Sequence, residues 1–384
     1  MTEFDIVPPE AIASGDATDA YFNRTVEALK HAGKNPHVVA EVTAAQFPGD
    51  DWLVFAGLKD AAHLFEGRDV DVYALREGQL ADGGPVMRIE GPYLEFCRLE
   101  TSLLGFLSPA TGYATAALEA RRSAPETTVF SFGARHVHPS IAATLERSAL
   151  IAGLDGFSHV SAGEVLGREA GGTMPHALVI CFGQGNQEEA WRAFDEAVED
   201  DVPRIALCDT YSDEVEESLR AVSAVDGLDG IRIDTTSSRR GDFEHILREL
   251  RWKLDVDGHE DVDIFASGGI TPEVMRETRD VVDGFGVGSY ISDAAAADFA
   301  LDIVERDGEI AVKRGKIGGR RQVYRTPDGE HVVQLESETP PEDGDPLLEP
   351  LVEDGSIVRE FDIDAAAERA LEDAQRVGFG PESQ

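Results

Sequence analysis

From Asp263 to Tyr290 the chain reads DIFASGGITPEVMRETRDVVDGFGVGSY, and the fold is decided here. Two short β-prone runs, DIFA and GFGV, each lead into glycine: Gly268 and Gly269 follow the first, and Gly286 and Gly288 sit in and after the second. One helical stretch, TPEVMRETRD, joins them. Strand, glycine loop, helix and strand form the repeating unit of a parallel layout with right-handed crossovers. In a closed barrel of such units, phosphate is commonly held by backbone N–H groups of the loops after the last two strands. Ser267, Gly268, Gly269, Gly286 and Gly288 are therefore the expected phosphate cradle, against the plainer reading of turn glycines.

Working outward, the same alternation reaches back to about residue 125. Further β-rich runs are TTVFSFG at 127, GFSHVS at 156, HALVICF at 176, RIALCDT at 204 and GIRID at 230, separated by helical patterns such as PSIAATLERSALIAG and QEEAWRAFDEAVED. The sum is a barrel or an open parallel sheet of seven β-rich runs, and the two late glycine loops favour an α/β barrel over residues 111–300. Residues 1–110 read differently, with hairpin signals around ADGGPV and a helix from Cys97 onward, and form a separate α+β domain. The segment 301–384 is expected to pack back on that first domain. Its stretch ESETPPEDGDP has few apolar and many charged residues and reads as a linker or mobile loop, before a helix at about 362 to 376.

Composition excludes several classes of function. The chain holds 34 basic against 74 acidic residues, a net charge of −40, which repels a nucleic-acid backbone at long range. No apolar run approaches the ~20 residues of a bilayer span, so no membrane is expected. The N-terminal MTEFDIVPPE lacks the features of a secretory signal, leaving the cytoplasm as the expected address. Cys97, Cys181 and Cys208 are widely separated and flanked by apolar residues, as reduced core thiols are. With 42% hydrophobic residues, the acidic excess is read as a carboxylate-covered surface suited to high salt.

The strand ends offer polar groups in pairs: Arg135 with His136, Ser158 with His159, Cys208 with Asp209, Arg232 with Asp234. Strand ends at one mouth of a barrel converge, so these can share a pocket. A rival reading takes His136 and His138, the two histidines of HVH, as zinc ligands on a first barrel strand of a hydrolase. Such a site also needs ligands on later strands, where this chain carries SGGI and GVGS loops suited to phosphate. A phosphate-ligand sensor without turnover is a third reading, weakened by the converging Arg, Asp and His set.

The motifs DATDAYFNRT, RIEGPYLEFCRLETSLLGFL, FSFGAR, GFSHVSAG, GTMPHAL, LCDTYSD, IRIDTTS, FASGGI, FGVGSYI and KRGKIGGRRQVYR, in this order, resemble the nicotinate phosphoribosyltransferase family, whose relatives include nicotinamide and quinolinate phosphoribosyltransferases. The resemblance implies the irregular (β/α) barrel of type II phosphoribosyltransferases, with an N-terminal α+β domain and a C-terminal extension. It also implies ATP-dependent joining of nicotinate to phosphoribosyl pyrophosphate with Mg²⁺. Phe132 then stacks on the pyridine, Tyr21 covers its other face from a neighbouring subunit of a homo-oligomer, and Arg135 pairs with the carboxylate. Ser158 stands where nicotinamide-using relatives carry a carboxylate, favouring the acid over the amide. Asp234 holds the ribose hydroxyls and Arg232 faces the 5′-phosphate side. His176 resembles the histidine phosphorylated from ATP, and Asp209 the carboxylate beside it. Quinolinate is not expected to react, because its second carboxylate lacks an assignable cation, and a quinolinate or nicotinamide phosphoribosyltransferase is the alternative reading. No zinc is expected, since no cysteine follows Cys208 to build the metal module of some archaeal relatives. Lys313, Arg314, Lys316 and Arg320 make a basic island, read either as a site for pyrophosphate or ATP or as a solvated turn.

The charge generates a test. With −40 on the chain, dilution from molar to millimolar KCl should lower the thermal midpoint as self-repulsion is unscreened. A midpoint that does not fall, followed by circular dichroism, contradicts the high-salt reading.

Overall fold

The computed structural model describes residues 4–44, 52–235 and 241–377. Six parallel strands form the barrel sheet: β1 (Thr128–Ser131), β2 (Gly156–Phe157), β3 (Ile205–Leu207), β4 (Gly230–Ile233), β5 (Asp263–Ala266) and β6 (Gly284–Val287). Their order is β2-β1-β6-β5-β4-β3, so the last strand closes against the first, with Gly284 opposite Thr128 and Val287 opposite Ser131. Between β2 and β3 the ladder is open. Helices α3 (Val160–Leu166), α4 (His176–Phe182) and α5 (Gln187–Ala197) occupy that stretch of chain, which makes the barrel irregular.

One expected strand is therefore a helix. HALVICF is β-branched and apolar in composition, yet Leu178, Val179 and Phe182 pack on the barrel core while Ile180 is 55% exposed. Apolar contacts at i, i+1 and i+4 suit a helical face and leave a strand's alternate positions unused. Pro175, extended at φ −87° and ψ 158°, caps the first turn. The HVH segment also departs from expectation, because it lies beyond β1 in a 3₁₀ turn, Ala134–His136, and the loop after it. Its alternation therefore does not place two imidazoles on one face of a strand.

The barrel interior is fitted by aromatic rings against glycine. A Cβ at Gly156 or Gly171 would overlap the ring of Phe130, one at Gly284 that of Phe265, and one at Gly286 that of Phe132. Glycine is required there by the neighbouring ring, not by backbone conformation.

Against this barrel lies a largely antiparallel seven-stranded sheet. Strand His37–Ala44 sits between Pro85–Pro92 and Phe299–Arg306, and strand Asp71–Ala74 between Pro85–Pro92 and Glu349–Glu353. The late chain thus supplies strands on both sides of the early ones. Helix α1 (Glu100–Ser123) serves both layers: Leu103 and Leu107 enter the core of this sheet, and Ala110 through Ala120 the core of the barrel. Helix α2 (Ala142–Ile151) packs on α1, and the terminal helix α7 (Ile363–Arg376) packs on α2. A remaining barrel helix, α6 (Glu214–Ala224), is capped by the Asp213 side chain. Among the described residues no helix is long and apolar enough to cross a membrane.

A buried ion pair joins the layers. Arg147 of α2 meets Glu77 with two bonds of 2.6 and 2.7 Å, and Glu77 also accepts the Leu58 N–H at 3.0 Å. Removing one partner of such a pair leaves an uncompensated buried charge. Arg147→Met should lower unfolding free energy by about 3–5 kcal/mol, measured by denaturant titration, and Glu77→Gln in the same chain should restore part of the loss.

Candidate active site

A cavity of about 610 Å³ opens at the C-terminal ends of the strands, lined by Phe132, Arg135, His136, Ser158, His159, Arg232, Asp234, Ser267, Gly268, Gly269, Gly286 and Gly288. Most of the expected site residues thus converge. Phe132 and Arg135 come from the loop after β1, Ser158 and His159 from that after β2, Arg232 and Asp234 from the end of β4, and the glycines from β5 and β6.

At one end of the pocket, the ring of Phe132 rests on Gly286 and faces Arg232, whose guanidinium carbon is 6.0 Å from the ring centroid. Arg232 is turned by two donated bonds, to the Thr173 hydroxyl and to the Met174 carbonyl at 2.9 Å. This anchoring directs it toward Phe132. Burial lowers the Arg232 pKa, the carboxylates of Asp234 and Asp209 pull it back up, and Arg135 is near enough to push it down. Two guanidiniums thus share one end of the pocket.

The imidazoles have assignable tautomers when neutral. His159 caps α3 by accepting the Ala162 N–H on Nδ1 at 3.1 Å, so its proton resides on Nε2. His136 accepts from Arg135 Nε on Nε2 at 3.1 Å, so its proton resides on Nδ1. His138 accepts the Ser140 N–H and lines a different groove, beside the N-terminal segment. Among the described residues no group of three His, Cys, Asp or Glu side chains is arranged to hold a metal.

At the other end, Gly268 has φ +78°, and a Cβ there would overlap Asp234 Oδ1, so the SGG loop lies directly on that carboxylate. Ser267 is buried, and among the described residues its hydroxyl has no partner. Below Asp234 sits a polar network. Asp209 Oδ2 accepts from the Asp234 N–H at 2.8 Å and the Thr235 hydroxyl at 3.1 Å. Asp209 Oδ1 has no hydrogen bond and lies 3.8 Å from His176 Nε2, which is equally 3.8 Å from Asp234 Oδ2. The Thr210 hydroxyl holds His176 Nδ1 at 3.1 Å. Burial raises the Asp209 carboxyl above its usual range, against the pull of His176. His176 and Asp209 therefore stand together at the edge of the pocket, behind Asp234.

Several participants were not singled out from sequence. Glu217 accepts the backbone N–H groups of Thr210, Tyr211 and Ser212, each at 2.9 Å, and so shapes the loop that carries Asp209. Glu214 Oε1 lies 2.8 Å from the same Thr235 hydroxyl, whose single proton is thus shared between Glu214 and Asp209. Glu214 and Glu217 lie in EVEESLR, whose charge density reads as a solvated face. The signal that separates them is the i, i+3 spacing of Glu214 and Glu217 on the side carrying Ser218 and Ala221, all buried. Tyr21 lies outside the pocket on helix Ala20–His31, 55% exposed, with its ring against Phe22 and its hydroxyl on Asp19. The basic island also lies apart. Lys316 pairs with Asp302, and Arg320 with Glu90 and Glu305.

Comparison with known proteins corrects the expected family. The chain matches the models for the quinolinate phosphoribosyl transferase N-terminal domain over residues 19–111 and C-terminal domain over residues 113–302. A crystal structure of nicotinate-nucleotide pyrophosphorylase from Pyrococcus furiosus is 44% identical, with a TM-score of 0.94 over 98% of this chain and 99% of that one. Human nicotinic acid phosphoribosyltransferase, 20% identical with a TM-score of 0.76 over 94% of each chain, shares the fold. Nicotinate phosphoribosyltransferase pncB2 of Mycobacterium tuberculosis (strain ATCC 25618 / H37Rv) is 32% identical over 76% of this chain, which spans 65% of that protein's length. The expected type II phosphoribosyltransferase fold, with its N-terminal α+β domain and C-terminal extension, stands. The assignment to the nicotinate family, and with it the ATP-dependent nicotinate reaction, does not. Two adjoining domain models and a relative matched end to end place the barrel and the sheet beside it together, and on them the chain belongs to the quinolinate phosphoribosyl transferase family.

Proposed function

We propose that this protein transfers phosphoribosyl from phosphoribosyl pyrophosphate to quinolinate, a step of NAD biosynthesis. The observation that carries the reading is the pair of guanidiniums, Arg135 and Arg232, beside the ring of Phe132. A pyridine with two adjacent carboxylates needs two such partners, and guanidinium geometry suits each. Arg232 supplies the second cation that the sequence alone did not assign.

The names of the family and of the Pyrococcus relative bracket the chemistry. The quinolinate ring carries a 2-carboxylate that the ring of the nicotinate nucleotide lacks, so that group must leave as CO₂. Attack of the ring nitrogen on the anomeric carbon expels pyrophosphate and makes the nitrogen cationic. The carbon–carboxylate bond then breaks, its electron pair stays on ring carbon 2 beside that nitrogen, and a proton completes the product.

Phe132 stacks on the ring, and Tyr21 is proposed to cover its other face from a second copy of the chain. Ser158 and His159 line the same pocket, where the His159 Nε2–H can donate to a carboxylate oxygen. Asp234 receives the ribose hydroxyls, and Ser267, Gly268, Gly269, Gly286 and Gly288 cradle the 5′-phosphate. Positive charge develops on the sugar as pyrophosphate leaves, so the carboxylates of Asp234 and Asp209 face it. His176 orients these two carboxylates and is not a phosphoacceptor. Mg²⁺, which commonly binds through one or two carboxylates plus substrate phosphates, fits Asp209 and Asp234, since Asp209 Oδ1 accepts no hydrogen bond among the described residues. It would neutralise the leaving pyrophosphate.

Incubation with phosphoribosyl pyrophosphate, Mg²⁺ and carboxyl-labelled quinolinate should yield nicotinate mononucleotide and labelled CO₂ without ATP. Faster turnover of nicotinate than of quinolinate would overturn the acceptor while leaving phosphoribosyl transfer in place. Arg135→Ala should lower kcat/KM for quinolinate by about 10- to 100-fold, the worth of hydrogen bonds to a charged group.

A further inference from the structure

The loop that carries Phe132 and Arg135 hangs from Ser131, the last residue of β1. Ser131 is fully buried, and its hydroxyl has no hydrogen bond of good geometry. From α2, Glu146 approaches it, equally buried, with neither carboxyl oxygen hydrogen-bonded. The Ser131 hydroxyl is nonetheless near enough to act on that carboxyl as a donor. Two orphaned polar groups therefore face each other, and a small rotation completes the bond between them.

Helix α2 packs against α1, α3, α7 and the short turns at Ala134–His136 and Pro139–Ile141, and among the described residues no charged group of these elements acts on Glu146. Its chain neighbour Arg147 is committed to Glu77. Burial without a cation pushes Glu146 up to about 7. The helix is also in close contact with the loop, since a Cβ at Gly133 would stand 3.2 Å from Leu145 Cδ2. In an interior packed this closely, a shift of the helix side is felt by the loop.

We propose that Glu146 is a positioning residue for the acceptor end of the pocket, holding the end of β1, and with it Phe132 and Arg135, through a hydrogen bond to Ser131. The inference rests on the reading of Phe132 and Arg135 given above. In the neutral form the carboxyl can both donate to and accept from the hydroxyl. Once ionised it can only accept, and it must draw Ser131 or water toward a charge that the site does not otherwise solvate. The loop then loses its fixed support. Because the folded-state pKa is raised, the favourable arrangement is present on the acid side and is lost as pH rises through about 7.

The test uses the full chain and titrates nicotinate mononucleotide by calorimetry on both sides of neutrality. This ligand carries a carboxylated ring whichever pyridine acid is the acceptor. Wild-type affinity should fall as pH rises through about 7. Glu146→Gln, which keeps the shape and a donor but cannot ionise, should remove that component and stay within about twofold of wild type on the acid side. Ser131→Ala should weaken binding about fivefold, the worth of one buried hydrogen bond, and serves if the glutamine variant folds poorly. Arg135→Ala is measured alongside. If it weakens binding while Glu146→Gln retains the wild-type pH profile, the positioning role is overturned and the pocket assignment survives. If Arg135→Ala binds as wild type does, the pocket assignment falls and takes the positioning role with it.

Discussion

The constraint on which the rest of the site depends is the lack of room between an aromatic ring and the glycine on the neighbouring strand. Phe130, Phe132 and Phe265 each occupy space that a single methyl group at Gly156, Gly284 or Gly286 would claim. Side chains that fill an α/β barrel normally do so in layers of branched aliphatics. Here flat rings take that place, and the ring of Phe132 stands at the boundary between interior and pocket. Its plane is set from behind by Gly286, so the floor of that end of the pocket belongs to the barrel's own packing.

Electrostatics then work locally inside a strongly acidic molecule. The net charge is −40, yet the pocket gathers Arg135, Arg232 and the imidazoles of His136 and His159, with Asp234, Asp209 and His176 grouped at the other end. Arg232 is fixed by neutral acceptors, a threonine hydroxyl and a carbonyl, which leaves its charge available to a ligand. The basic island near residue 316 is the contrasting case. Two of its four cations, Lys316 and Arg320, are met by Asp302, Glu90 and Glu305, so these two stabilise the sheet more than they invite an anion.

Much of this was legible in the sequence, for physical reasons that also explain the failures. Strand runs bounded by glycine loops placed Ser267 through Gly269 and Gly286 through Gly288 at one mouth, together with Arg135, Ser158 and Asp234. HALVICF misled because its composition suits a buried strand, whereas what decides its conformation is which residues meet the core, a property of the open seam between β2 and β3. Glu217 was invisible because its three backbone partners lie in an irregular loop. The family was misread for a deeper reason. Ring stack, ribose carboxylate and phosphate loops are common to any transfer of phosphoribosyl to a pyridine acid. The acids differ by one carboxylate, and the cation that would meet it, Arg232, is aimed by Thr173 and Met174, far away in sequence.

The interleaving of early and late chain in the seven-stranded sheet bears on how the molecule is made. Strand His37–Ala44 has one of its two neighbours in Phe299–Arg306, and Asp71–Ala74 has one of its own in Glu349–Glu353. During synthesis, therefore, the first sheet to be translated is the last to be completed, and its edges wait for about the whole barrel to emerge. Pairings of such long sequence separation close slowly, and unpaired edges are where chains stick to one another. The barrel, whose strands and crossing helices are contiguous, can form first and offer α1 as a template, since that helix already belongs to both layers. A cell that truncates this chain near residue 300 would retain every residue of the pocket and still leave the nascent sheet with two open sides.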